Sequence, residues 1–162
     1  MIEENLAFRK ATPADIPEIW EILQQAIERR RKDGSTQWQS GYPNLKTVEN
    51  DVKNEYAYVL TLNDKIIASA ALIFNNEPTY DVIDGEWLSL GEFLVVHRIA
   101  VSDEVAGKGF IKKFFQFFEI FSKENHVFSI KIDTNFDNLP MLKILEKSGF
   151  THCGEIQVYD GP

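Results

Sequence analysis

A chain of 162 residues with 17 Lys and Arg against 25 Asp and Glu carries a formal charge of −8, so it lacks the basic face that nucleic-acid phosphates require. Apolar residues make up 44% and aromatics 12%, with 12 Phe, which excludes disorder and suffices for one domain over residues 1–162. Cys153 is the one cysteine, so an internal disulfide and a cysteine metal cluster are excluded, and a reducing, cytoplasmic setting is the simplest expectation. Residues 1–5 show neither the basic start nor the apolar run of a signal peptide. No uninterrupted apolar stretch is long enough to cross a bilayer, so no membrane partner is expected.

Residues 6–9 read as a first strand. Thr12-Pro13-Ala14-Asp15 and Asp15-Ile16-Pro17-Glu18 are overlapping helix starts, each pairing a capping residue with an acid three positions on. Ile16, Ile19, Trp20, Leu23, Ala26 and Ile27 then recur on one helical face. The helix is predicted to end near Arg29-Arg30-Arg31-Lys32, whose charges suit the negative helix end, with Gly34 as the stop. Residues 35–46 form a loop by their Gly and Pro, yet carry Trp38 and Tyr42, which either fold back onto the core or line a ligand pocket. A short second helix is expected over 47–56. Residues 57–62 and 66–74 are strands joined in a hairpin through Asn63-Asp64-Lys65. The polar insertion over 75–90 again sets aromatics, Tyr80 and Trp87, among loop residues.

The centre of the chain is the run Leu94-Val95-Val96-His97-Arg98-Ile99-Ala100-Val101, an apolar, β-branched stretch that reads as a buried strand. A polar bend and Gly107-Lys108-Gly109 follow, and Phe110, Ile111, Phe114, Phe117, Phe118 and Phe121 then repeat at helical spacing. A strand feeding a glycine turn at a helix N-terminus is suited to a phosphate, because the backbone comes close and unpaired N–H groups face the anion. Lys108, Lys112 and Lys113 add positive charge. A tight turn with its lysines in solvent is the alternative. Lys108 is followed by Gly109 rather than Ser or Thr, so this is not the mononucleotide P-loop, and Lys112 stands where a dinucleotide fingerprint needs its third glycine. A strand over 127–132, a helix over 138–148 and a strand over 151–159 complete the chain. The order predicts an α/β (α+β) fold: a mixed central β-sheet covered by helices on both faces.

Ala106-Gly107-Lys108-Gly109-Phe110-Ile111 resembles the central motif of the GNAT N-acetyltransferase superfamily, Arg/Gln-x-x-Gly-x-Gly/Ala after a strand ending in Val, with Gly109 as the middle glycine. Ala106 replaces the usual Arg or Gln, and Ile111 the usual Gly or Ala. Asp133-Thr134-Asn135-Phe136-Asp137-Asn138, closing on Glu146-Lys147-Ser148-Gly149-Phe150, resembles the family's later segment, an Asn-bearing loop and helix ending in Glu-Lys-x-Gly-Phe. The resemblance covers essentially the whole chain. It implies acetyl-CoA as cofactor, held by the backbone of Ala106, Gly107, Lys108, Gly109, Phe110, Ile111 and Lys112. The backbone of Ile99, Ala100 and Val101 would pair with the pantetheine amides, with the Val101 N–H near the thioester carbonyl. Asn138 matches the position that hydrogen-bonds the cofactor arm, and Asn135 helps to shape that loop; helix capping is the alternative for both.

The implied activity is acetyl transfer from acetyl-CoA to a primary amine of a small molecule or peptide, with a homodimer left open as the assembly. A non-catalytic acyl-CoA-binding or regulatory module on the same fold is the alternative. Trp38, Tyr42, Tyr80 and Trp87 are the candidate acceptor wall, because each joins an aromatic ring to a loop position. Deprotonating an ammonium acceptor needs a base, and His97 and Glu92 lie on or beside the central strand. Strand alternation places His97 on the face of Ile99 and Val101, with Arg98 opposite, and an ordinary histidine pKa near ~6.5 suits that task. A histidine bonded within the core is the alternative. Many family members carry a Tyr that protonates the leaving thiolate where this chain has Leu145, which leaves Tyr159 or a water for that role. His126 and His152 are scattered, with no carboxylate spacing for a metal.

Overall fold

Left-handed backbone at Asn63 and Asp64, with φ of 50° and 67°, turns the chain between β2 (Ala57–Leu62) and β3 (Lys65–Phe74). Asn and Asp tolerate this region better than most residues, so the hairpin closes in two residues, and Lys65 begins the next strand instead of belonging to the turn. The computed structural model describes residues 5–156. Before this hairpin come β1 (Leu6–Lys10), a short 3-10 turn (Pro13–Asp15), α1 (Ile16–Lys32) and α2 (Leu45–Lys53). After it come a second 3-10 turn (Pro78–Asp81), β4 (Asp84–Gly85), β5 (Leu94–Val101), α3 (Phe110–Glu124), β6 (Ile130–Ile132), α4 (Leu139–Lys147) and β7 (Gly154–Glu155).

The main sheet has the order β1-β2-β3-β5-β6; the first three pairings are antiparallel and β5–β6 is parallel. Side-chain alternation gives it two apolar faces. Leu60, Leu72, Leu94, Val96, Ile99 and Val101 pack under α3 with Phe110, Phe114 and Phe118, and under α4 with Met141. Val59, Ile66 and Ala100 turn the other way, to Ile19, Leu23 and Ala26 of α1 and Val48 and Val52 of α2. Helices thus cover both faces of a mixed sheet, as the element order predicts.

β6 is shorter than expected, and the expected last strand, 151–159, lies in part outside the described residues. The Ser122 hydroxyl donates to the Val127 carbonyl at 2.7 Å, and the Val127 N–H donates back to the Ser122 carbonyl at 3.0 Å. This wrap consumes the backbone of Val127, and β6 begins only at Ile130. The last described strand is β7, which pairs with β4 in a separate ribbon, and Tyr159 lies outside the described residues.

One irregularity decides the geometry of the centre. His97 faces Ala71 across the β3–β5 ladder and Ala100 faces Ser69, so Arg98 and Ile99 together stand opposite Ala70 alone. The extra residue is a β-bulge, and Arg98 takes a left-handed φ of 50°. Alternation therefore slips by one. Val96 and Ile99 share the α3 face although three positions apart. The bulge corrects the expectation that His97 shares the face of Ile99 and Val101, while Arg98 does lie opposite them, turned to Asp51 of α2.

Candidate active site

The turn after β5 is built on two sunken residues and an exposed crest. Val105 and Phe110 are buried, while Gly107, Lys108 and Gly109 between them are exposed. The Val105 N–H donates to the Ser102 carbonyl and the Lys108 N–H to the Val105 carbonyl, both at 3.1 Å, which winds the chain tightly. Gly107 and Gly109 have φ of 78° and 84°, values that disfavour any residue with a Cβ, and no atom lies within 4 Å of where either Cβ would stand. Gly109 is the N-cap of α3 and has no side chain to accept from the first helical turn. The first N–H groups of a helix lack intrahelical acceptors, so this crest presents free donors at the positive end of a 15-residue helix. Lys108, Lys112 and Lys113 are exposed around it.

Beside the turn, the sheet forks. β6 pairs with β5 only at Leu94–Ile130, Val95–Lys131 and Val96–Ile132. Beyond the bulge, Ile99, Ala100 and Val101 have β3 on one side and, among the described residues, no strand on the other. The open edge of β5 leads directly to the glycine crest.

Above the fork sits a polar cluster. His97 Nε2 lies 3.1 Å from Glu77 Oε2, with side-chain exposures of 17% and 20%. Thr79 Oγ1 donates to the other oxygen of the same carboxylate. Burial, followed by the Arg98 charge, pushes the His97 pKa down, against the opposing charges of Asp133 and Glu77. The ring is therefore a neutral base at neutral pH. Tyr80 is buried and donates its hydroxyl to Asp133 Oδ2 at 2.6 Å. Burial and the Asp133 charge push the Tyr80 pKa up, which keeps the phenol protonated. Trp87 packs on the Tyr80 ring at 5.0 Å between centroids and donates its indole N–H to the Tyr80 carbonyl at 3.0 Å. Lys131 Nζ lies 4.5 Å from the centre of the Trp87 ring and 4.2 Å from that of Phe93. A groove of about 540 Å³ along β6, lined by Trp87, Phe128, Lys131 and Cys153 among others, is lined by neither His97 nor the glycine crest.

On the other side of the bulge, Arg98 makes a two-pronged pair with Asp51 of α2, both bonds 2.7 Å, and donates to the Tyr42 hydroxyl at 2.7 Å. Burial alone would lower the Arg98 pKa, but the bonded Asp51 carboxylate outweighs it and leaves the guanidinium raised. Trp38 is buried in the α1–α2 core, with the Arg30 guanidinium 3.8 Å above its ring. Burial, then the neighbouring Arg29, lowers the Arg30 pKa to about 10. The loop after α1 is also tied to the loop before α4. Asp137 accepts from Ser35 Oγ at 2.5 Å, from the Thr36 N–H at 2.9 Å and from Asn135 Nδ2 at 2.6 Å. These donors, the Ser35 hydroxyl above all, hold the Asp137 carboxyl down at about 2. Asn138 caps α4 by accepting from the Met141 N–H at 3.3 Å, and its amide donates to Gln37 Oε1 at 2.8 Å.

Comparison with known proteins supplies the context for this geometry. The model of the acetyltransferase (GNAT) family matches residues 17–150. A GNAT-family acetyltransferase from Streptococcus agalactiae is 33% identical, with 96% of this chain and 90% of that one covered and a TM-score of 0.87. The chain belongs to the GNAT acetyltransferase family. Two more distant structures share the fold. An acetyltransferase from Clostridium acetobutylicum, crystallised with acetyl-CoA, is 19% identical with 96% of each chain covered and a TM-score of 0.64. An aminoglycoside N-acetyltransferase in complex with CoA is 16% identical, with 98% and 95% covered and a TM-score of 0.65. No curated relative matches the chain.

Within this GNAT domain the residues expected at the cofactor site come together: Ile99 to Val101 on the fork, and Ala106 to Lys112 on the crest. Ala106 and Ile111 are half-buried against the α3 core, so both departures from the family motif point inward, away from the donors. Asn135 and Asn138 sit nearby but spend their side chains on Thr36, Asp137, Gln37 and the α4 cap. The four aromatics do not form one wall. Trp38 is core, and Tyr80 is buried at 3% exposure with its hydroxyl spent on Asp133. Tyr42 holds Arg98, and Trp87 belongs to the groove along β6. Glu92 is exposed ahead of β5, so of the candidate bases only His97 lies in the half-buried cluster. Glu77 and Asp133 were not legible as site residues: one is among the four acids of the loop over 75–90, the other stands between a strand and an Asn-rich segment. A Glu followed by Pro78 at the start of a 3-10 turn was the only local hint.

Proposed function

We propose that the protein is an N-acetyltransferase that moves an acetyl group from acetyl-CoA to a primary amine of a small molecule or peptide. The observation that carries this reading is the continuity of crest, fork and base along one strand and its turn. The unpaired N–H groups at the start of α3, beside Gly109, suit a diphosphate, and the open edge of β5 at Ile99 to Val101 suits an arm that pairs as a strand does. Acetyl-CoA supplies an activated thioester carbonyl. The Val101 N–H, at the end of the open edge, is the chain's donor for the charge that develops on that carbonyl oxygen. His97, neutral and half-buried above the fork, takes the proton of the ammonium acceptor, directly or through a water. Acidic groups around it, Glu77 and Asp133, favour a cationic acceptor. Protonation of the leaving thiolate falls to Tyr159 or water, because Leu145, at the position of the usual family Tyr, has no proton to give and packs against the core.

That leucine also favours a second reading, an acyl-CoA-binding module without turnover. One experiment separates the two: acetyl-CoA titrated calorimetrically, alongside a screen of polyamines, amino acids, aminoglycosides and peptides for release of free CoA. Binding with turnover of an amine supports the transferase, and binding without turnover of any amine supports the module.

A further inference from the structure

Glu77 is the carboxylate that meets the His97 ring directly. It stands at the N-cap of the Pro78–Asp81 turn, where its carbonyl accepts from the Tyr80 N–H at 2.9 Å. Tyr80 is itself fixed by Asp133 at 2.6 Å, so the turn that carries Glu77 is pinned from beneath. Both carboxylate oxygens are engaged: Oε1 accepts from Thr79, and Oε2 lies 3.1 Å from His97 Nε2. A neutral imidazole has one N–H and one lone pair. Two lone pairs facing each other at that distance would repel, so the nitrogen against an ionised carboxylate carries the hydrogen. The charged and titratable groups around His97 are Glu77 from the loop after β3, Asp133 from the end of β6, Tyr80 bonded to Asp133, and Arg98 on its own strand, which is turned to Asp51.

We infer that Glu77 is a positioning residue for acetyl transfer: it holds His97 as the Nε2–H tautomer and thereby makes Nδ1 the atom that accepts the acceptor's proton. The inference rests on the reading of His97 as the base, but the tautomer can be measured without it. A carboxylate that accepts Nε2–H also stabilises the imidazolium formed after proton transfer, as any ion pair would. Thr79 keeps the carboxylate from rotating away. The loop over 75–90 thus supplies an orienting group to the catalytic strand.

The test is a long-range 1H–15N correlation spectrum of protein labelled at histidine nitrogens, in the parent and in Glu77→Ala and Glu77→Gln. With only His97, His126 and His152 in the chain, the His97 signals are assigned by their loss in His97→Gln. The parent is expected to show a protonated Nε2 and an unprotonated Nδ1 at His97 above its pKa. Glu77→Ala should mix the tautomers, lower kcat/KM for the amine by about tenfold or more and leave the acetyl-CoA KM unchanged. Glu77→Gln keeps an acceptor oxygen but removes the charge, so the tautomer should persist, kcat/KM should recover at the pH plateau, and the His97 pKa should fall. A protonated Nδ1 in the parent overturns the inference. So does a Glu77→Ala protein in which the tautomer and pKa of His97 are unchanged. Full activity in folded His97→Gln removes the base reading, and with it the catalytic half of the inference, while the spectrum still decides the tautomer.

Discussion

At the scale of single residues, the crest and the base carry separable predictions. Gly109 has φ of 84° at the cap of α3, so a β-branched residue there is strained in the backbone and places methyl groups among the donors. Gly109→Val is expected to weaken acetyl-CoA binding by at least about 2 kcal/mol, through lost hydrogen bonds and steric exclusion, as read by calorimetry on folded protein. Lys108→Ala should cost less and flatten the salt dependence, because an exposed lysine acts mainly through a screened field. Unchanged affinity in Gly109→Val would move the cofactor away from this turn. His97→Gln is expected to leave acetyl-CoA affinity near the parent's and to lower kcat/KM about 10²–10³-fold. It should also remove the acidic limb of the pH–rate profile. Burial holds the His97 pKa below its ordinary value, so that limb belongs below ~6.5 rather than around neutrality. A profile identical to the parent's in the folded variant would exclude His97.

At the scale of elements, α3 ties the first strand to the core through its Phe stripe. The Phe8 ring of β1 lies 5.6 to 6.2 Å from the rings of Phe114, Phe117, Phe118 and Phe121, so one strand is locked to four positions of the helix. Phe118 is fully buried, and Phe118→Ala is expected to destabilise the fold by about 3–5 kcal/mol in denaturant unfolding, through lost transfer energy and the cavity left behind. This helix was legible in the sequence because its period is local: every Phe on the stripe announces the face it will bury. The bulge in β5 was not. Leu94 to Val101 reads as an unbroken β-branched strand, and the extra residue exists only relative to the register of β3, which no local pattern contains. Alternation carried across the bulge put His97 on the face of Ile99 and Val101, and the register with β3 removes it from there. The aromatics of the two loops misled for a related reason. Trp38 and Tyr80 look like pocket residues beside Gly and Pro, yet the Arg30 guanidinium and the Asp133 carboxylate that claim them come from other elements. The glycine turn between β5 and α3 was legible because a helix start, two glycines and a strand end are sequence-adjacent.

At the scale of the whole molecule, acid should loosen the structure in an identifiable order. His97 is held below its ordinary pKa, so the unfolded chain takes up a proton first, and stability begins to fall as pH drops through ~6.5. Asp15 and Asp137 are each held down at about 2, by Arg9 and by Ser35 foremost. Depressed carboxyl values add stability that is complete above the unfolded value of ~3.9 and is lost as pH falls towards 2. Asp137 is partly solvated, so its share is modest, but with the Asn138–Gln37 and Asn135–Thr36 bonds it ties the loop after α1 to the loop before α4. Asp137→Asn should therefore flatten the stability–pH curve between pH ~4 and ~2, measured by urea unfolding at several pH values. A curve parallel to the parent's would show that the ion does no such work.

The fork between β5 and β6 also bears on association. An open strand edge is a template for another strand, and the edge at Ile99 to Val101 is guarded only in part, where the Val101 carbonyl accepts from Arg29 Nη2 at 2.6 Å. Whatever fills the fork removes that template. It also draws the equilibrium towards the folded state by mass action, by about 2.7 kcal/mol when its free concentration is a hundredfold above its dissociation constant. On the proposed reading the pantetheine arm acts as a removable strand of the sheet, and the acyl donor doubles as a protectant against edge-to-edge aggregation.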